Sequence, residues 1–232
     1  MLNYSKKYPL VFFHLPKNAG KSICEALGID KEFHPPHLNQ TVLLGDDIRE
    51  SYTDEQWNTL TKFTIIRNPW DRLVSLYHFR KKERDLLIRL GHKGLWHPDG
   101  GDKSQEGWDF KRWLFTPETA GVEDYGVFLA YKDLIKINPA NKNFFRSSID
   151  YVNQIDLITD PENNLYVDYM LRFENLDEEL DKMFAELDLE RPELPRNNTS
   201  SHKHYREYYD DDTKHFVEQL FAKDIEYFNY TF

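Results

Sequence analysis

The chain has 232 residues, of which 40% are hydrophobic and 15% aromatic, with 16 Phe, 14 Tyr and 5 Trp. That apolar content excludes an intrinsically disordered chain, and a soft prior of roughly 100–200 residues per domain leads us to expect a single domain over 1–232, with an insertion. A net charge of -10, from 40 acidic against 30 basic residues, argues against nucleic acid as a partner, because that binding depends on Lys and Arg neutralising phosphates.

Cys24 is the single cysteine, which rules out an intrachain disulfide framework and a thiolate zinc cluster. No apolar run approaches the roughly 18 residues of a spanning helix. The first residues also lack the basic-then-apolar layout of a secretory signal. The expectation is a cytoplasmic protein with no membrane span.

In chain order, the run Tyr8-Pro-Leu-Val-Phe-Phe-His14 is nearly continuous in apolar residues and predicts a strand buried on both faces. Helical character over 22–27 follows, with Gly28 as its stop. A second buried run, 63–66, leads into Arg67-Asn68-Pro69, and Pro69 predicts a helix start because its missing N–H costs nothing there. Leu73, Val74, Leu76 and Tyr77, then Leu86, Leu87 and Leu90, would form that helix's apolar face. Residues 91–107 read as a loop, 165–173 as another strand, 175–187 as an amphipathic helix, and 205–221 as a last helix after a polar loop over 196–204. Strand, turn and helix recur in the first third, the layout of a parallel α/β sheet.

Residues 14–22 read His-Leu-Pro-Lys-Asn-Ala-Gly-Lys-Ser. A strand that feeds a tight turn opening a helix gathers backbone N–H groups, and the helix dipole adds positive charge, so the turn suits an anion. Lys17 and Lys21 add full charges, and Ser22 adds a hydroxyl. Gly20-Lys21-Ser22 also matches the end of a Walker A loop, but Leu15 stands where its first Gly belongs, and the 63–66 run ends in Arg67 rather than an Asp. A kinase using ATP and magnesium stays open as the alternative. So does a surface turn that happens to carry two lysines.

Residues 65–77 read Ile-Ile-Arg-Asn-Pro-Trp-Asp-Arg-Leu-Val-Ser-Leu-Tyr. Arg67 falls at a strand's C-terminal end, where ligands of open α/β sheets bind, and Ser75 comes about two helical turns later. An Arg fork and a Ser hydroxyl suit a phosphate. The competing reading has Arg67 and Arg72 pairing with Asp71 and Ser75 as a small packing residue. Taken together, the two segments offer separate anion sites on one sheet edge, which suits a nucleotide phosphorylated at both ends.

In these two segments the sequence resembles the sulfotransferase superfamily, close to the carbohydrate (polysaccharide) sulfotransferases. The 14–22 segment resembles that family's 5′-phosphosulfate loop, and 63–77 its 3′-phosphate element, with Arg and Ser eight residues apart. Arg172-Phe-Glu-Asn-Leu176 and stretches 202–209 and 222–228 are also similar to family members, whereas 91–165, the acceptor-facing and variable region, is only faintly so. The resemblance implies a P-loop-like three-layer α/β fold with a central, mainly parallel sheet. It implies 3′-phosphoadenosine 5′-phosphosulfate (PAPS) as co-substrate, released as PAP, and no metal.

On individual residues, the resemblance places Lys17 on the oxygen bridging sulfate and 5′-phosphate, and wraps the 5′-phosphate with Asn18, Ala19, Gly20, Lys21 and Ser22. Arg67 and Ser75 would hold the 3′-phosphate, and a loop with Ser201, His202 and Lys203 would close over the nucleotide. The chain departs from the family at Asn18 and Lys21, where Thr, and Thr or Ser, are commoner.

An attacking alcohol must lose a proton, and a His titrates in the right range. His37 and His34, in Phe33-His-Pro-Pro-His37, are the candidate bases, with Asp46, Asp47 and Glu50 as fallbacks. Arg80, Lys81, Lys82, Arg84, Arg89 and Lys93 form the densest basic stretch, either a solvated helix face or a rim for an anionic acceptor. Trp96, Trp108 and Trp113 are candidates for stacking on sugar rings, against core packing for at least two of them. The expected activity is sulfuryl transfer to a hydroxyl-bearing acceptor, a saccharide. The alternatives are the kinase above and a non-catalytic nucleotide- or glycan-binding module.

Overall fold

The computed structural model describes residues 3–29, 45–89, 109–115, 153–195 and 202–232. Its elements run β1 (Leu10–Phe13), α1 (Gly20–Leu27), α2 (Gly45–Glu50), α3 (Asp54–Thr59), β2 (Thr61–Ile66), α4 (Pro69–Arg89), α5 (Phe110–Phe115), β3 (Tyr169–Arg172), α6 (Leu176–Glu186), α7 (Asp211–Leu220) and α8 (Ala222–Phe228). Short 3₁₀ turns cover Ile155–Leu157, Phe173–Asn175 and Tyr205–Tyr208. The chain divides into two compact units, Met1–Asn68 with Asn153–Thr199, and Pro69–Val152 with Ser200–Phe232.

The first unit holds a parallel three-stranded sheet in the order β1-β2-β3. Phe12 pairs with Phe63 across β1 and β2, and Ile66 with Arg172 across β2 and β3. Every residue of β1 is buried, as expected of a strand with both faces covered. Leu10 and Phe12 pack with Ile23, Cys24 and Leu27 of α1 and Leu180, Met183 and Phe184 of α6. Phe13 instead meets Trp57 and Tyr166, with ring centroids 6.2 and 6.1 Å away. Alternation along the strand thus sends successive side chains to opposite layers. This is the α/β architecture with a parallel sheet that the sequence predicts.

The predicted helix stop at Gly28 is present, with φ 65 and its N–H bonded to the carbonyl of Glu25, the left-handed closure that glycine adopts without a Cβ penalty. The predicted strand over 165–173 is shorter, keeping only Tyr169–Arg172. Leu165 instead forms an isolated antiparallel bridge with Thr159, around a turn in which the Asp160 carboxylate accepts from the Asn164 backbone and side chain. That local side-chain bonding wins over strand extension. Residues 45–59, unassigned in the sequence reading, carry α2 and α3, and α3 starts at a capping box in which Thr53 and Gln56 exchange bonds.

In the second unit, α4 begins at Pro69 and buries Leu73, Val74, Leu76 and Tyr77, as the sequence predicts. Tyr77 meets Phe110 and Trp113 of α5 at 5.6 and 5.5 Å. Trp113 is 2% exposed, so its ring is core and not a sugar platform; Trp96 and Trp108 lie outside the described residues. The helix predicted over 205–221 is broken. A 3₁₀ turn ends at Tyr208, Asp210 turns extended, and its carboxylate accepts from Thr213 N–H to cap α7. A cap of this kind competes with helix continuation through the same residue. Among the described residues no helix is long and apolar enough to cross a membrane.

Candidate active site

The site assembles in the first unit, where β1 and β2 end side by side. After Phe13 the chain turns through Pro16 and enters α1 at Gly20. Lys17 and Ala19 both have positive φ, 68 and 59, a conformation that costs non-glycine residues roughly 1–2 kcal/mol each. Strain of this kind concentrates at functional turns. Ala19 occupies the N-cap position of α1 and has no side-chain oxygen to cap with. The carbonyl of Ala19 takes the N–H groups of Ser22 and Ile23, while those of Gly20 and Lys21 have no acceptor among the described residues. Free N–H groups at a helix start, with the dipole behind them, are what an anion requires. Lys21 is exposed and Lys17 and Ser22 are half-buried around that point.

Gly20 is fixed by a neighbour. A Cβ built on it would fall 1.7 Å from His14 Nε2, so the imidazole lies directly against the glycine backbone. His14 follows β1 and stacks on Phe12 at 5.7 Å, which makes it a wall of the turn.

Asn18 is fully buried, and its carboxamide nitrogen donates to the carbonyl of Ile65 at 2.6 Å and to Gln154 Oε1 at 2.7 Å. Both amide protons are thereby used. Its Oδ1 is buried with no hydrogen-bond partner among the described residues. The side chain predicted to wrap a phosphate therefore anchors the turn to β2, and only its backbone is left to face a ligand.

Arg67 follows β2 and is 7% exposed. Its Nη1 donates to the carbonyl of Lys17 at 2.8 Å, and the guanidinium lies 4.0 Å over the Phe173 ring. Gln154 clamps its backbone: Oε1 accepts from Arg67 N and Nε2 donates to Arg67 O, both at 2.9 Å. Asn68 N donates to Glu174 Oε1 at 2.6 Å. Arg67 is thus bonded directly to Lys17, and Asn18 is linked to Arg67 through Gln154. Gln154 is the member that sequence reasoning missed; it lies 87 positions from Arg67 in a stretch with no periodic pattern.

Of the other predicted residues, Ser75 is half-buried in α4, within the second unit. Lys203 is exposed there, 3.5 Å from Glu207. His34, His37 and Ser201 lie outside the described residues. Also in the second unit, His78 and His202 stack with centroids 4.9 Å apart, and His78 Nε2 is 2.8 Å from the Tyr208 hydroxyl. Burial, then the charges of His202, Lys81 and Lys82, push the His78 pKa down to about 4. At neutral pH its ring is uncharged.

A parallel α/β sheet with a strained, uncapped turn at the head of its first helix, and an arginine at the end of the adjacent strand, is an α/β fold whose strand ends are arranged to suit an anion. Residues 1–231 match the family described as Sulfotransferase family, and the chain belongs to it. Its chemistry is that of a transferase moving a sulfuryl group. No curated protein and no solved structure matches the chain.

Proposed function

We propose that the chain transfers the sulfuryl group of PAPS to a hydroxyl of a saccharide acceptor and releases PAP. The observation that carries this reading is the bond between Arg67 Nη1 and the carbonyl of Lys17. It ties an arginine suited to a phosphate to a turn suited to a second anion, both at the C-terminal ends of neighbouring parallel strands. A ligand with phosphates at both ends meets both; one with a single phosphate chain meets one.

In the reaction the acceptor oxygen bonds to sulfur as the bond between sulfur and the 5′-phosphate oxygen breaks. The electron pair stays on that oxygen in PAP, and the acceptor proton passes to a base, which we assign to His37 or His34. Lys17, with the N–H groups of Gly20 and Lys21, neutralises the charge growing on the leaving oxygen. Ala19 and Ser22 shape the wrap around the 5′-phosphate, Arg67 and Ser75 hold the 3′-phosphate, and Ser201 and Lys203 belong to a covering loop. Positioning and charge stabilisation then supply most of the rate. The saccharide class follows from the resemblance of the motifs and from the basic stretch 80–93.

Thermal unfolding with PAP against ADP plus magnesium tests the ligand, since a ligand that binds the native state raises its stability. PAP is expected to raise Tm well beyond ADP with magnesium, and the reverse order favours a kinase. Transfer of labelled sulfate from PAPS to a glycan panel tests the reaction. Lys17→Ala should abolish transfer with Tm preserved, and an unimpaired variant would overturn the role of Lys17. Tight PAP binding with no transfer to any acceptor would leave a binding module.

A further inference from the structure

We propose that Gln154 is a positioning residue that sets the spacing of the two phosphate-binding turns, and so gives the site its preference for a nucleotide phosphorylated at both ends. The inference rests on the function proposed above.

Gln154 is fully buried, in the turn just before Ile155–Leu157. Three bonds of its carboxamide reach the two turns. Oε1 accepts from Asn18 Nδ2 of the first turn and from Arg67 N of the second; Nε2 donates to Arg67 O. A single oxygen, with both lone pairs engaged, is therefore the shared point of both turns. The last residue pair between β2 and β3 is Ile66 with Arg172. Arg67 lies one step beyond that ladder, and the Gln154 amide takes the place of a neighbouring strand for its N–H and C=O. The backbone from which the guanidinium extends is held by this side chain.

The consequence concerns two-point binding. A ligand that engages both turns gains from its second contact only if the distance between them matches the ligand, as with any linked pair of sites. A misplacement of about 1 Å can cost on the order of 100-fold in such a geometry. A ligand that engages one turn is indifferent to that distance. A glutamine that served only to satisfy buried backbone would change stability and leave ligand preference alone.

Calorimetric titration of PAP, 5′-AMP and 3′-AMP on the parent chain, Gln154→Met and Gln154→Glu separates the two roles. Met removes all three bonds at similar volume, and Glu keeps the shared acceptor but loses the donor to Arg67 O. The parent is expected to bind PAP at least about 100-fold more tightly than either monophosphate. In Gln154→Met, PAP affinity should fall about tenfold or more while each monophosphate changes less than about threefold; Gln154→Glu should fall between.

Equal losses for all three ligands would overturn the proposal, and so would unchanged PAP affinity. If both variants lose only their folded fraction by circular dichroism, Gln154 is a structural clamp and the proposal also falls. A parent chain that does not prefer PAP would fail at the functional reading itself, before any variant is compared.

Discussion

Arg67 donates through Nη1 to the carbonyl of Lys17 at 2.8 Å, and its guanidinium plane rests 4.0 Å over Phe173. The charge is thereby held in place by a neutral acceptor and an aromatic face. On the proposed function, removing it takes away a charge-assisted contact to the ligand's 3′-phosphate, and it releases the Lys17 turn as well. Arg67→Ala should weaken PAP binding by about 1.5–3 kcal/mol, roughly 10- to 150-fold in Kd. Arg67→Lys keeps the charge but loses the fork and the stack, so it should recover only part of that. Calorimetry on the two variants checks this, and a Kd for Arg67→Ala equal to the parent's removes the assignment.

Gly20 and His14 are a second linked pair. With the imidazole 1.7 Å from where a Cβ would stand, Gly20→Ala must push the ring off Phe12 or shift the start of α1. A cost of about 1–3 kcal/mol is expected, typical of overpacking. The clash is with the far end of one side chain, so His14→Ala should relieve much of it. A double-mutant cycle by urea unfolding should therefore show a coupling of at least about 1 kcal/mol. Additive losses would place the glycine's constraint in the backbone instead.

What the sequence made legible was whatever depends on neighbours in the chain. Apolar run, turn and helix located β1 and α1, Gly28 marked a left-handed stop, and Pro69 marked the first residue of α4. The candidate anion turn and Arg67 stood out because residue type and strand-end position coincide there. Gln154 did not, because its role exists only once three segments distant in sequence converge, and a lone glutamine carries no periodic signal. The true role of the Asn18 side chain, bonding to Ile65 and Gln154, was hidden for the same reason. The capping box at Thr53–Gln56 is a different miss, since Thr-Asp-Glu-Gln is a readable start signal.

Asp210 illustrates how one polar residue overrides a helical pattern. Its carboxylate accepts from Thr213 N–H, the Thr213 hydroxyl accepts from Asp210 N, and Lys111 approaches at 2.6 Å. These bonds hold its carboxyl below the usual carboxylate range, chiefly through Lys111 and then through Thr213. The lysine contact is exposed and contributes little to stability; the cap carries that contribution. Asp210→Ala should lower Tm, and Asp210→Asn, which can still cap, should lower it by only a small part of that amount. Thermal unfolding of both variants checks the order, and equal losses would shift the weight to the ion pair with Lys111.

His78 makes the second unit sensitive to acid. Its ring is stacked on His202, bonded to Tyr208, and faced by Lys81 and Lys82. Burial first, and then those positive neighbours, lower its pKa to about 4, against roughly 6.5 for an unfolded histidine. Between these values the unfolded chain holds a proton that the folded chain rejects, so stability falls as pH drops from about 6.5 to about 4 and levels off below. The contribution is present in full above the unfolded pKa. With the ring only partly buried and screened by solvent, about 1 kcal/mol is expected rather than the whole shift, or about 2–4 °C in Tm. His78→Gln keeps a polar group beside Tyr208 and cannot titrate. The difference in Tm between parent and variant should therefore change across pH 4–6.5 by about that amount. A constant difference across that window would mean that His78 takes up its proton as readily in the folded chain as in the unfolded one.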